Sequence, residues 1–279
     1  MVELPEAYVL AEQLNSTIAG RTIIEAEANH SPHGFAFYSR PPELYAALLA
    51  GQVVRSVNAG TEYTCGGNVE ILCDEQAIVL STPIKYHAAG AKIPDKHQLR
   101  LLFDDGASVT CTVQMWGAML CVDRADGKLP EQFVVNKAPE PFAAAFDYAY
   151  FKGLAAGKEK LSAKAFLATE QRIPGLGNGV LQDILFHCGI HPKRKLSELA
   201  EVDFRAMFDS VKSTLRDMRA KGGRDTEKDI FGHSGGYQTK LSAKTKGQMC
   251  PVCGNEIARE AYLGGNIYFC RGCQPYAKS

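Results

Sequence analysis

SAKAFLATEQRIPGLGNGVLQDILFHCG, residues 162–189, reads as two short helices held around a tight turn. The first helix is expected over Ser162–Gln171, with the Ser162 hydroxyl as its cap. Ile173-Pro174-Gly175-Leu176-Gly177 supplies the turn, because proline fixes one φ and glycine permits left-handed backbone. Asn178 then opens a second helix with Leu181, Ile184, Leu185 and Cys188 inside, and Gly189 is its stop.

Downstream, Ser197 begins a longer helix to about Ala220, carrying Leu199, Val202, Val211, Leu215 and Met218. GGRDTEKDIFGHSGGYQ, residues 222–238, is glycine-rich and polar and reads as a loop. The chain then shows Cys250-x2-Cys253 and Cys270-x2-Cys273, separated by 16 residues. Each pair is a tight knuckle that turns two thiolates to one side, and two knuckles complete a tetrahedral four-sulfur shell for one zinc ion. Gly254 and Gly272 fall where such knuckles need unusual backbone angles. A closed shell has no open position, so this zinc is read as structural. Two redox pairs are the alternative, but no strand–helix redox context surrounds them.

Upstream, a helix is expected from about Pro5 to Ile18, where Leu10, Leu14 and Ile18 recur every four residues. Short β-rich segments follow near 21–27, 52–58, 69–73, 77–81, 98–103, 107–113 and 117–123, punctuated by glycine and aspartate turns. Many short strands between turn signals indicate a β-sandwich or barrel. A linker with Pro130, Pro139 and Pro141 precedes the helices. The expected fold is α+β: an N-terminal β-sandwich with a leading helix over 1–130, a helical domain over 131–240 and a zinc finger over 241–279.

The 279 residues are 46% hydrophobic and 22% charged, which excludes a disordered chain, a collagen and a coiled coil. No run approaches the roughly 18 apolar residues of a membrane span. The N-terminus carries Glu3, Glu6 and Glu12 with no basic flank, unlike a secretory signal. Net charge is zero, which taken alone argues against nucleic acid. The average hides a split: residues 1–150 hold 10 Lys+Arg against 18 Asp+Glu, and residues 151–279 hold 21 against 13. The acidic and basic halves are expected to do different work. Cys65, Cys73, Cys111, Cys121 and Cys188 are scattered through apolar stretches and read as buried free thiols of a reducing, cytoplasmic compartment.

Taken together, the order of elements resembles the formamidopyrimidine-DNA glycosylase and endonuclease VIII family of base-excision repair. The likeness spans essentially the whole chain. It rests on Glu3-Leu4-Pro5-Glu6, on Lys164-Ala165-Phe166-Leu167 through Gly175-Leu176-Gly177-Asn178, on Ile184-Leu185-Phe186, on Gly189-Ile190-His191-Pro192 and on Tyr268-Phe269-Cys270-Arg271-Gly272-Cys273-Gln274. The resemblance implies a protein that flips a damaged nucleotide out of double-stranded DNA. It implies that the amine of residue 2, exposed by removal of Met1, attacks the sugar and forms an imine that permits strand cleavage. Glu3 would then serve as the acid/base and Glu6 as a second carboxylate. Lys164 and Asn178 match residues that hold phosphates, although Asn178 is equally suited to a plain helix cap.

Departures fall on the functional positions. The family's proline is Val2, whose primary amine is available only once Met1 is gone. The family's hairpin lysine aligns with Glu62, which would repel a phosphate. The residues that fill the gap left by the flipped base align with Ile84 and with Gln114-Met115-Trp116. Trp116, the only tryptophan, is a candidate stacking wedge or else a core or interface residue. The zinc-hairpin arginine is replaced by Gly265. The expectation is a monomeric DNA-binding family member whose cleaving activity is weak, changed or lost. The alternatives are an active glycosylase using Val2, or a non-catalytic binder of damaged or unusual DNA.

Overall fold

The computed structural model describes residues 2–60, 62–64, 66–129, 133 and 138–276. Met1, Cys65 and half of the proline-bearing linker, Pro130 included, lie outside the described residues. The chain divides into two compact units. One holds the chain up to Lys137 together with Gly222–Gly235, and the other holds Ala138–Lys221 and Gly236–Ser279.

In the first unit, α1 spans Leu4–Ile18 and buries Leu4, Ala7, Leu10, Ala11, Leu14 and Ile18. This spacing of three and four residues makes one apolar face. Each fully buried Leu or Ile contributes about 1.5–3 kcal/mol relative to an exposed one. Two sheets form the sandwich. The first contains β1 (Ile23–Ala28), β6 (Ile84–His87), β7 (Leu99–Phe103) and β8 (Ser108–Cys111), in the order β1-β7-β8-β6. The second contains β2 (Ala36–Phe37), β3 (Ser56–Ala59), β4 (Val69–Leu72), β5 (Gln76–Leu80) and β9 (Gly117–Asp123), in the order β2-β9-β5-β4-β3. Val57, Ile71, Ile78, Leu101, Val109 and Cys111 meet in the core between them, and the short helix α2 (Tyr45–Leu49) adds Tyr45 and Leu49.

Two strands were not expected. β2 is only two residues long and pairs parallel with β9. β6 follows Pro83 and is fixed by its antiparallel register with β8, Ile84 opposite Cys111. β2 is too short for a pattern of period two to mark it.

The segment Gly222–Gly235, expected in the helical domain, belongs to the sandwich instead. Gln13 on α1 donates to Asp229 at 3.0 Å and accepts from the Ile230 amide at 3.3 Å, while Tyr86 N–H donates to the Ile230 carbonyl at 2.8 Å. Ile230 is fully buried in the sandwich core. Gly235 has to be glycine, because a Cβ there would lie 2.2 Å from the backbone of Gly223.

The second unit contains α3 (Tyr148–Gly153), α4 (Ala163–Ala168), α5 (Val180–His187), α6 (Glu201–Ala220) and the hairpin β10 (Ile257–Tyr262) with β11 (Gly265–Cys270). Ser162 caps α4 as expected, accepting from Ala165 N–H at 3.2 Å. Arg172 folds back and donates to the carbonyls of Ala165 and Phe166, which suits a cation at a helix C-terminus. Gly175 takes φ +71° in the turn and Gly189 φ +68° at the stop. α5 starts at Val180, two residues later than expected, so Asn178 does not cap it. The long helix likewise starts at Glu201, after a separate turn at Leu196–Glu198. Val202 on it is exposed, and the buried stripe runs through Phe204, Met207, Val211, Leu215 and Met218.

Candidate functional site

Glu3 stands at the entry of α1, where its backbone carbonyl accepts from Ala7 N–H at 2.9 Å. Its side chain makes no capping bond, which leaves the carboxylate for other partners. Pro5 suits the first turn, where an N–H has no helical acceptor. Glu6, one turn in, is buried. Both carboxylates meet Arg224, a residue nothing in the local sequence pattern singled out. Arg224 donates through Nε and Nη2 to the two oxygens of Glu6, at 2.9 and 2.8 Å, and its backbone N–H reaches the same carboxylate at 3.1 Å. Nη1 lies 3.4 Å from Glu3 Oε2. Burial alone would pull the guanidinium pKa down, but the negative charges of Glu3 and Glu6 outweigh it and hold Arg224 firmly protonated. Gly223, at φ +93°, brings the backbone close to Glu6. Val2 is buried beside this cluster in sequence, and its nitrogen donates to the Ser81 carbonyl at 3.3 Å.

At Glu62, where the resemblance leads one to expect a lysine, Oε1 lies 3.9 Å from Arg124 Nη2. The backbone around it is set by Glu70, which is fully buried. Its carboxylate accepts from the N–H groups of Glu62, Tyr63 and Thr64 at 2.8–3.1 Å, and from the Thr64 hydroxyl at 2.8 Å. Glu70 sits in a strand of otherwise apolar residues and was not expected to be buried.

Ile84 is a core residue, 4% exposed and packed inside the sandwich, so it cannot fill a gap in a duplex. Gln114, Met115 and Trp116 are all exposed, at the turn into β9. Trp116 stands near 41% exposure and is therefore no core residue of its unit. Phe35 accompanies it: Gly117 N–H donates to the Phe35 carbonyl at 3.0 Å, and both Phe35 and Phe37 are exposed.

In the second unit, Lys164 and Asn178 converge on the turn of the β10–β11 hairpin. Lys164 Nζ donates to the Tyr262 carbonyl at 2.6 Å, and Asn178 Nδ2 donates to the Asn266 carbonyl at 3.1 Å. Lys164 is buried, and burial lowers its pKa. Gln182, a second residue the sequence did not single out, donates to the Asn266 carbonyl and accepts from Tyr268 N–H. The tip of the hairpin is Leu263-Gly264, both at positive φ, in the manner of a two-residue turn. Gly265 is the first residue of the returning strand, and a Cβ on it would lie 3.5 Å from Lys164 Nζ.

Below the hairpin, the Sγ atoms of Cys250, Cys253, Cys270 and Cys273 all lie within 4.8 Å of one another, with Cys250–Cys273 at 3.8 Å and Cys253–Cys270 at 3.3 Å. Sulfurs around one tetrahedral zinc stand about 3.8 Å apart. The cluster fits a metal ion, and Asn255 adds a donor to Cys253 Sγ at 3.3 Å. A Cβ on Gly272 would lie 2.8 Å from Cys253 Sγ, so glycine is required there by space. Away from this cluster, Cys73, Cys111, Cys121 and Cys188 are unpaired thiols, each pushed up to about 12 by burial.

Residues 138–228 match the family model described as the formamidopyrimidine-DNA glycosylase H2TH domain. The chain is 28% identical to the formamidopyrimidine-DNA glycosylase of Geobacillus kaustophilus, over 98% of this chain and 100% of that one. It is also 28% identical to that of Bacillus subtilis, over 98% and 99%. Among solved structures, it is similar to Lactococcus lactis Fpg in complex with abasic-site DNA, at a TM-score of 0.81 and 23% identity, over 98% of this chain and 100% of that one. The Thermus thermophilus Fpg protein gives a TM-score of 0.82 at 21% identity, over 99% and 100%. No described helix is long and apolar enough to cross a membrane.

Proposed function

Because the chain belongs to the formamidopyrimidine-DNA glycosylase and endonuclease VIII family, we propose that it binds double-stranded DNA as a base-excision-repair protein whose glycosylase and lyase activity is weak, changed or lost. The observation that carries this reading is the side chain at residue 2: the resemblance calls for a proline there and the chain has Val2, buried, with its nitrogen 3.3 Å from the Ser81 carbonyl. Loss of positive charge at Glu62 and Gly265 supports the same reading, since phosphate attraction dominates DNA affinity. Trp116, exposed at a turn, is then the wedge that stacks in the duplex, with Gln114 beside it. Lys164 and Asn178 act through the hairpin they hold, as well as on phosphate.

One observation favours a second reading, an active glycosylase that uses the Val2 amine after Met1 is removed. Glu3 and Glu6 are kept in a buried ion cluster with Arg224. Buried charges rarely add stability over an apolar core, and they concentrate at functional sites. In that form Glu3 would exchange protons with the opening sugar while Arg224 holds its carboxylate in place.

The four cysteines would hold one zinc ion in a closed shell, and its contribution is to fold the hairpin. We place the protein in the cytoplasm with the nucleoid, as a monomer. The deciding experiment is borohydride trapping on abasic-site duplex, with intact mass measured on the same preparation. A covalent adduct through residue 2 in chains lacking Met1 supports the active reading. Duplex binding without an adduct, in chains shown to lack Met1, supports the first. Absence of binding at about 50 mM salt, where phosphate attraction is strong, overturns both.

A further inference from the structure

At the end of the β1–β7 ladder, three side chains from separate segments turn their ligating atoms to one point. Glu27 lies on β1, His30 in the turn after it, and His97 just before β7. His30 Nδ1 lies 2.8 Å from Glu27 Oε1, and His97 Nε2 lies 3.3 Å from Glu27 Oε2. All three ligating atoms lie within 4.8 Å of one another. The two imidazole rings stack face to face, with centroids 4.5 Å apart and 6° between planes.

His97 Nδ1 lies 2.9 Å from the Pro94 carbonyl, which can only accept, so that nitrogen carries a proton and Nε2, facing Glu27 Oε2, is the ligating atom. A single divalent ion between the three groups would take the two ring nitrogens and the carboxylate together. The Pro94 carbonyl is then the outer partner that sets the ring's tautomer, as metal-bound histidines usually have. Arg100 pairs with Glu25 and, through Nε at 3.5 Å, with Glu27 Oε2, so the ion would share that carboxylate with the guanidinium.

The frame around the three ligands is sewn together. Asn29 N–H donates to the Gln98 carbonyl at 2.7 Å, Ser31 N–H to the His97 carbonyl at 3.0 Å, and Gln98 Nε2 to the Ser31 carbonyl at 2.7 Å. Ligands of a tetrahedral ion with metal–nitrogen and metal–oxygen bonds near 2.1 Å stand about 3.4 Å apart, a spacing these atoms approach with small side-chain shifts.

We propose that Glu27, His30 and His97 form a second metal site, separate from the four cysteines, for a borderline divalent ion such as Zn2+. Two imidazoles with one carboxylate select zinc, cobalt or nickel over magnesium or calcium. The fourth position is a water, because Glu27 and His30 stand at the surface while His97 is buried. The ion clamps the 29–31 turn to the strand that follows His97.

The test uses protein whose four-cysteine site is already filled. Native mass spectrometry in excess Zn2+ is expected to show two equivalents for the natural chain and one for His30→Ala and His97→Gln. Zn2+ is expected to raise the melting temperature of the natural chain and not that of His30→Ala, an exposed change that leaves the core intact. Affinity for the second ion should fall at least about tenfold in either variant, as it does even when outer partners of a metal ligand are removed. Cobalt binding gives an independent readout: the second equivalent should add visible d–d absorption without new thiolate charge transfer. A single equivalent in the natural chain, or a second one that persists in both variants, overturns the proposal.

Discussion

Arg224 and Glu6, 218 positions apart in the chain, form a bidentate pair at 2.9 and 2.8 Å inside the sandwich unit. The pair draws the Gly222–Gly235 segment onto α1 and leaves Nη1 beside Glu3. Neither partner has enough water around it to stand alone. Arg224→Met should therefore cost about 3–5 kcal/mol in urea unfolding, because two carboxylates lose their shared counter-charge. Arg224→Lys should recover only part of this, since an ammonium cannot bridge both oxygens of Glu6 and reach Glu3. Arg224→Met combined with Glu6→Leu should cost less than the sum of the single changes. Additive losses would mean that the pair is not a unit.

Glu62 is a side chain that can be changed without moving its backbone. Glu70 holds the 62–64 backbone through N–H groups, while the Glu62 carboxylate approaches Arg124 at 3.9 Å and faces the Tyr63 hydroxyl. Glu62→Lys is expected to leave the melting temperature within the small range of surface changes. If position 62 faces DNA, the lysine should strengthen duplex binding and steepen the slope of log K against log salt by about 1. An unchanged slope places position 62 away from the phosphates.

What could be read in the sequence follows from whether a signal is local. The four cysteines, the Ser162 cap, the Gly175 turn and the Gly189 stop each depend on a few neighbouring residues, and each was legible. Arg224 and Gln182 act on partners far along the chain, so no window around them reveals the role. Glu70 is a further case: a carboxylate in an apolar strand reads as a surface residue until the three N–H groups that satisfy it are seen. Asn178 was read as opening α5, yet its amide reaches across to Asn266. Ile84 was aligned with a DNA-filling position, but its strand register with β8 turns it into the core.

The Lys164–Tyr262 contact sets the position of the hairpin turn. Lys164→Met removes the donor and leaves the Tyr262 carbonyl without it, which should cost about 1–3 kcal/mol of stability. Gly265→Arg has the opposite purpose. Its Cβ would meet Lys164 Nζ at 3.5 Å, an ordinary contact, so the change is sterically tolerated. It adds a cation at the position where the resemblance calls for an arginine; if that position faces DNA, duplex affinity should rise with a salt slope steeper by about 1. Urea unfolding reads the first variant, and filter binding over a salt series reads the second. Equal slopes for Gly265→Arg and the natural chain would remove the hairpin from the DNA-facing surface.

Acid should weaken the second unit through His191. Its ring is 3% exposed, stacked on Tyr276 at 4.6 Å and edge-on to Phe269 at 4.4 Å. Nδ1 accepts from Lys193 N–H at 3.1 Å, so the buried ring is neutral, with its proton on Nε2. Burial, the largest effect on it, pushes its pKa down from 6.5 to about 4. The unfolded chain therefore binds a proton near pH 6.5 that the folded chain refuses until about pH 4. The stability at stake is complete above pH 6.5 and is lost as the pH falls toward 4, at about 1.4 kcal/mol for each unit of separation. Urea midpoints measured at several pH values across that window should fall more steeply for the natural chain than for His191→Gln, which has nothing to titrate there. Thiolate protonation at the four cysteines is common to both proteins, so it cancels in the comparison. Parallel curves would assign the acid sensitivity to the cysteine cluster instead of to His191.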